Sequence, residues 1–220
     1  MLTVILCGGS PAAAEAGNEP AVRTILVWAG GAMMDHPYDG PIAARLNKMM
    51  DAEIPDSVNI IVITGGTLDG WINDLSLEGA DSVRADCNQV WKMKGAHDGQ
   101  RGALVLLEEN GLPGFEHGSM SEPETLKAFI DYGAANYPAE KYDLILIQHG
   151  AGPASGWGMD DVYPRKDGKL AMAVDEICRA LKESNVSRFD LLPLLKTTGK
   201  NSYINTVQNA ACFPQKTVAA

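Results

Sequence analysis

The sequence predicts an α/β fold: a three-layer α/β/α sandwich around a mainly parallel sheet, with a small β-hairpin region added. Three observations carry this. The runs "TILVWAG" (24–30), "VNIIVITGG" (58–66) and "YDLILIQ" (142–148) are continuously apolar and β-branched, without the alternation of a half-exposed strand. Segments of helical period lie among them. Strands alternating with helices are satisfied by parallel pairing with helices on both faces.

The elements follow in chain order. After the first strand, "PIAARLNKMMDAEI" places Ile42, Leu46, Met49 and Met50 near helical spacing, with Pro41 in the first turn. The second strand completes a βαβ unit, whose crossover is expected to be right-handed. Between Thr67 and Met120 the signal is short and alternating. "CNQVWKM" (87–93) and "ALVLL" (103–107), separated by "KGAHDGQRG", read as an antiparallel hairpin at the sheet edge or on its face. "SEPETLKAFIDYGAANY" reads as a helix with Ser121 as N-cap, Glu124 completing a capping box, and a stripe of Leu126, Phe129, Ile130 and Tyr137. The third buried strand ends at Gln148. A polar, glycine-rich loop then runs from His149 to Gly168. "LAMAVDEICRALKES" is an amphipathic helix through Leu170, Val174, Ile177, Cys178 and Leu181. "RFDLLPLL" (188–195) reads as a fourth strand, restricted by Pro193 to an edge or a strand end.

At 220 residues and 45% hydrophobic content the chain suits one domain with one sizeable core. We read residues 1–22 as a signal or lipoprotein remnant or a disordered N-terminus, 23–195 as the folded domain, and 196–220 as a divergent, aperiodic tail. A net charge of −10, with no dense Lys/Arg run, argues against nucleic acid or an anionic membrane as partner. No run approaches the length of a membrane span. Cys7, Cys87, Cys178 and Cys212 lie far apart, which indicates neither a zinc site nor a dense disulfide framework. "MLTVILCGGSPAAAEAG" ends a short apolar run in a cysteine and small residues, as the end of an export or lipoprotein signal does. The expectation is an exported protein, secreted or lipid-anchored at a bacterial cell envelope.

Open α/β sheets bind ligands beyond the carboxyl ends of their strands, and His149 stands there on the third strand. Gly150 and Gly152 leave the backbone beside it open to close approach. A dinucleotide loop from Gly150, Gly152 and Gly156 is disfavoured: those glycines follow the wrong strand, and Asp160 and Asp161 would repel phosphate. Ser155 lacks the flanking glycines of a serine-hydrolase elbow. His149 is left as a general base in search of a nucleophile.

Taken in order, "TILVWAGG", "VNIIVITGG" with Trp71 beyond it, "ETLKAFIDYGAANYPAEKYDLILIQHGAG", "GWGMDD", "LAMAVDEICRALKES" and "RFDLL" resemble the clostripain-like cysteine peptidases, relatives of caspases and gingipains. The resemblance covers roughly residues 23–192. It implies a caspase-like fold, His149 as catalytic histidine, and the Gly150 N–H in the oxyanion hole. It also implies peptide or protein substrates cleaved after Arg or Lys, by a monomer or a processed two-chain form. No cofactor is implied, although some of these enzymes use calcium, for which Asp160 and Asp161 are the candidates.

The resemblance breaks at the nucleophile. The family pattern runs Phe-Asp-Leu-Ile-Gly-Phe-Asp-Ala-Cys-Leu-Met, and Phe189, Asp190, Leu191 and Leu192 fit its start. Leu195 then stands for the pocket aspartate and Thr197 for the cysteine, and neither can do the expected job. Three readings stay open: a truncated or frame-altered copy, Cys212 in "NAACF" as a displaced nucleophile, or a non-catalytic peptide-binding domain of the same fold. Cys87 and Cys178 read as structural. The family matures by a cut in a basic loop after the histidine, and "YPRKDGK" (163–169) offers Arg165, Lys166 and Lys169 as exposed positions. Trp71 and Trp157 are candidates for lining a substrate groove, while His36, His97 and His117 lie in loops without evident partners.

Overall fold

The computed structural model describes residues 20–30, 40–68, 70–71, 74–148, 156–187 and 189. In chain order the elements are β1 (Ala21–Ala29), α1 (Pro41–Met50), β2 (Val58–Thr64), β3 (Leu77–Glu78), β4 (Gln89–Lys94), β5 (Ala103–Glu108), α2 (Pro123–Asn136), β6 (Ala139–Ile147) and α3 (Val174–Glu183). One six-stranded sheet has the order β3-β5-β4-β2-β1-β6.

The parallel centre is β2-β1-β6, with Ala29 opposite both Thr64 and Ile147. β1 is covered on both faces because its side chains alternate. Leu26 and Trp28 join Ile61, Ile63, Leu126, Phe129, Ile130, Ile177 and Leu181 in one core. Val27 and Ala29 join Ile42, Leu46, Met50, Val62, Trp91 and Leu104 in the other. Helix α1 therefore covers one face and α2 with α3 the other, the three layers read from the sequence. Phe129 docks on Trp28 with ring centroids 5.8 Å apart, and full burial of such a side chain stabilises by about 1.5–3 kcal/mol.

The hairpin lies in the sheet, not on its face. β4 pairs antiparallel with β2, and β5 with β4. Its reversal is chemically specified: Asp98 and Gly99 both take positive φ, 49° and 75°, between His97 and Gln100, which exchange backbone hydrogen bonds. Two left-handed residues match the twist of antiparallel neighbours, which is why an Asp-Gly pair sits there.

Two helix expectations need correction. The cap of α2 is Glu122, with Pro123 opening the helix and no side-chain cap bond. Ser121 is buried instead, its Oγ 2.8 Å from the Ser119 Oγ. Proline at the first helical position fixes φ and has no N–H to satisfy, so the chain enters the helix one residue later than a serine cap requires. Leu170 precedes α3 and is 74% exposed, so the buried stripe is Ile177, Cys178, Ala180 and Leu181.

Of the expected fourth strand, Phe189 alone is described; it forms a parallel bridge to Tyr142. Because Tyr142 also pairs with Thr24 of β1, Phe189 lies on the outer side of β6. Pro193, Leu195, Thr197 and the tail 196–220 fall outside the described residues, as do residues 1–19 with their export signal. Among the described residues no helix is long and apolar enough to cross a membrane.

Candidate functional site

The carboxyl ends of the three central strands are level. Gly30 donates its N–H to Ile147 and Gly65 donates to Ala29, at 3.2 and 3.0 Å. Gln148 follows β6 directly, and His149 and Gly150 follow Gln148. His149, Gly150 and Cys212 themselves lie outside the described residues. What the structure gives is the frame around residue 149.

That frame is tightly built. Gln148 is 4% exposed and donates from Nε2 to the Met159 carbonyl at 3.0 Å. Gly30 leaves it room, since a Cβ there would stand 2.3 Å from the Gln148 Nε2. The returning loop is fastened at Trp157, whose backbone exchanges hydrogen bonds of 2.7 and 2.9 Å with Met172. Asp160 then accepts from the Met120, Val162 and Tyr163 backbone N–H groups at 2.7–2.8 Å. Burial pushes its carboxyl above the usual range, against the downward pull of those three donors. On the neighbouring strand end, the Thr67 N–H donates to Ala85 and Trp71 Nε1 to the Gly65 carbonyl.

Several expectations for side chains change. Trp71 and Trp157 are 6% and 4% exposed and belong to the two cores, so neither lines an open groove. Each indole buries more by turning inward than a loop position suggests. Asp160 directs its oxygens to the backbone N–H groups of Met120, Val162 and Tyr163. His117 has a partner, the Tyr163 hydroxyl, 3.2 Å from its Nδ1.

The loop at 163–169 is not uniformly exposed. Lys166 and Lys169 face solvent, but Arg165 is 7% exposed. Its guanidinium meets Glu176 in a two-pronged pair at 2.8 and 2.9 Å and Asp167 in another at 2.8 Å. It also donates to the Ser121 carbonyl at 2.7 Å and the Ala171 carbonyl at 3.1 Å. The Arg165 guanidinium holds the Glu176 carboxyl down at about 2 and the Asp167 carboxyl well below its usual range. Glu176 also accepts the Ala173 N–H at the head of α3, so one carboxylate joins loop and helix.

The two described cysteines are unsuited to nucleophilic attack. Cys87 is buried, its thiol donates to the Glu109 carbonyl, and burial raises its pKa. Cys178 is disulfide-bonded.

Comparison with known proteins adds the following. No family model matches the chain. A 34-residue stretch, 16% of the chain, is 56% identical to clostripain of Hathewaya histolytica and takes in 6% of that protein. Among solved structures, a secreted C11 cysteine protease from Bacteroides thetaiotaomicron, in complex with an irreversible peptide inhibitor, is similar over 78% of the chain at 15% identity and a TM-score of 0.47. An inactive zymogen C11 protease from Parabacteroides distasonis is similar over 75% at 18% identity, again with a TM-score of 0.47. The chain spans 41% and 40% of those two proteins. The structural likenesses are loose. The likeness to clostripain is confined to that 34-residue segment.

Proposed function

We propose that this chain is the histidine-bearing part of a cysteine endopeptidase of clostripain type, cleaving peptide bonds after Arg or Lys. The observation that carries the reading is the 56% identity to clostripain over 34 residues. It is supported by the place of His149, directly beyond a level row of parallel strand ends, where α/β sheets hold their reactive groups.

In this reading a thiolate attacks the scissile carbonyl. The Gly150 N–H stabilises the oxyanion, and His149 delivers a proton to the leaving amine. Water then hydrolyses the thioester. Thr197 stands at the family's cysteine position, so the peptidase reading takes Cys212 as a displaced nucleophile, which requires its thiol to be free of the Cys178 disulfide. The disulfide at Cys178 suits an oxidising compartment and thus export. The alternative is a non-catalytic peptide-binding domain of the same fold, favoured by Thr197 and Leu195 at the two functional positions.

Hydrolysis of small Arg and Lys amides decides between them. The peptidase reading expects turnover that is lost in both His149→Ala and Cys212→Ala; wild type indistinguishable from buffer rejects it for this chain. Turnover surviving in Cys212→Ala removes Cys212 as nucleophile.

A maturation cut belongs to the same proposal, and burial selects its position. A protease pocket must take the residue before the cut, and Arg165 is engaged on all sides, whereas Lys166 is exposed. Incubation with an active clostripain-type enzyme is expected to nick the chain after Lys166 or Lys169. Peptide mapping that finds the nick after Arg165, or none after long incubation, contradicts this.

A further inference from the structure

We propose that Asn110 is a self-modification site, where attack by the Gly111 nitrogen converts the asparagine to aspartate or isoaspartate with assistance from Arg84. Asn110-Gly111 is the one Asn-Gly pair in the sequence. It lies in the turn that leaves β5, and Asn110 is exposed. The fold requires glycine at 111: its φ is +92°, and a Cβ there would stand 3.1 Å from the Glu116 carbonyl oxygen. The missing side chain also leaves the Gly111 nitrogen unshielded toward Asn110. Among the described residues its N–H donates to no carbonyl.

A second observation concerns the reacting carbonyl. Arg84 Nη1 donates to the Asn110 Oδ1 at 2.8 Å. The guanidinium is itself held by a two-pronged pair with Asp86 at 2.9 and 2.7 Å, and the Arg84 backbone N–H donates to Gln89 Oε1 at 2.7 Å. A fixed cation therefore lies on the oxygen where negative charge develops. The Gly111 nitrogen loses its proton to hydroxide and bonds to the Asn110 Cγ, and the tetrahedral oxyanion forms on Oδ1 beside Arg84. The Cγ–Nδ2 bond then breaks, and Nδ2 takes a proton from water and leaves as ammonia. Water reopens the five-membered imide. Cleavage of the Cγ–N bond gives aspartate, and cleavage of the main-chain carbonyl–N bond gives isoaspartate. The balance is amide plus water to carboxylate plus ammonium.

The two products differ in fit. Aspartate keeps the main chain and puts a carboxylate where Oδ1 already meets Arg84, so the bond joins two charges in place of one. Isoaspartate lengthens the main chain by one carbon, beside a glycine that already lies against the Glu116 backbone. The turn closed by the Phe115 N–H on the Leu112 carbonyl would have to shift. The change falls at the candidate-site end of the sheet: Ala85, next to Arg84, accepts the Thr67 N–H beyond β2 at 2.8 Å. Conversion adds a negative charge there without any enzyme.

The test ages the full chain in mildly alkaline buffer, maps its peptides by mass, and compares wild type with Asn110→Gln, Arg84→Met and Arg84→Lys. Wild type is expected to show the mass gain of an amide-to-acid exchange in the peptide holding Asn110. Asn110→Gln, whose cyclisation would need a six-membered ring, should show none. Asn136 is the internal control: it is exposed, but it lies in α2, and the Tyr137 N–H behind it is bonded to the Gly133 carbonyl at 2.9 Å. Arg84→Met should convert ~10-fold more slowly than wild type, less than the roughly 10²–10³ of a water-excluded oxyanion site because the Arg84 side chain is part-exposed. Arg84→Lys, which keeps a cation, should recover part of the rate. In urea, where Arg84 is no longer held in place, wild type and both Arg84 variants should convert alike, which separates assistance from a failure to fold. No mass gain at Asn110 in native wild type, or a native gain as fast in both Arg84 variants as in wild type, overturns the proposal.

Discussion

Replacing Arg165 by methionine is expected to lower the free energy of unfolding by about 3–5 kcal/mol, the cost of removing one partner from a buried charge network. The guanidinium joins Asp167 in its own loop, the Ser121 carbonyl ahead of α2, and Glu176 in the first turn of α3. Methionine fills the volume but leaves the Glu176 carboxylate, 12% exposed at the side chain, without its main counter-charge. The sign of the pH dependence is fixed by Glu176. Its folded value of about 2 lies below the ordinary 4.5, so its contribution is full above the ordinary value and is lost as pH falls toward 2. Asp167 shifts the same way. The gap between wild type and Arg165→Met, read from urea unfolding, should therefore be widest at neutral pH and narrow as pH falls from 4.5 toward 2. A gap independent of pH would show that methionine fails through packing and not through charge.

Arg23→Met is expected to cost about as much, ~3–5 kcal/mol, for a related reason. Arg23 on β1 pairs with Asp143 on β6, whose side chain has no exposed surface. Asp143 lies opposite Ile25, two residues along from Arg23, so the pair crosses the parallel ladder diagonally. Removing the arginine leaves a fully buried carboxylate without its counter-charge. Arg23→Met combined with Asp143→Leu should recover most of the loss, because an apolar pair of similar volume carries no desolvation penalty. A double variant as unstable as the sum of its single changes would show that the two residues act independently.

Both pairs bear on how much the sequence reveals. The central strands were legible because burial on two faces leaves one composition, continuous and β-branched, over "TILVWAG", "VNIIVITGG" and "YDLILIQ". The hairpin was legible in its two short alternating runs, although which of two places it takes, sheet edge or sheet face, was not. Whether β4 pairs with β2 or packs across a face depends on its neighbours, not on its own residues. The candidate site divides the same way. His149 followed by glycines after a buried strand is a local pattern. Gln148, Asp160 and Arg165 carry no such pattern, because their partners at Met159, Met120 and Glu176 are found only once the loop has folded back. A partial signal existed for Asp160, whose side chain accepts from Val162 and Tyr163 in the manner of aspartates that open turns.

The basic loop shows where local reading goes astray. Arg165, Lys166 and Lys169 among turn formers read as three exposed cations. A long cation is exposed only if no acidic partner waits in the interior, and Glu176 at the head of α3 supplies one for Arg165. Leu170, apolar yet outside the helix that would have buried it, is the converse case.

The sequence by itself determined the α/β class, the three buried strands, the two-sided cover of helices, and the position of His149 beyond the third strand, since each follows from periodicity within a few residues. Tertiary structure alone decided that the hairpin extends the sheet at β2, that Trp71 and Trp157 turn into the cores, that Arg165 is anchored while Lys166 is free to solvent, and that Gln148 bonds to the Met159 carbonyl. The physical reason is common to all of these. Burial and hydrogen bonding at those positions are made with residues distant in the chain, and no local pattern records a partner that only folding brings near.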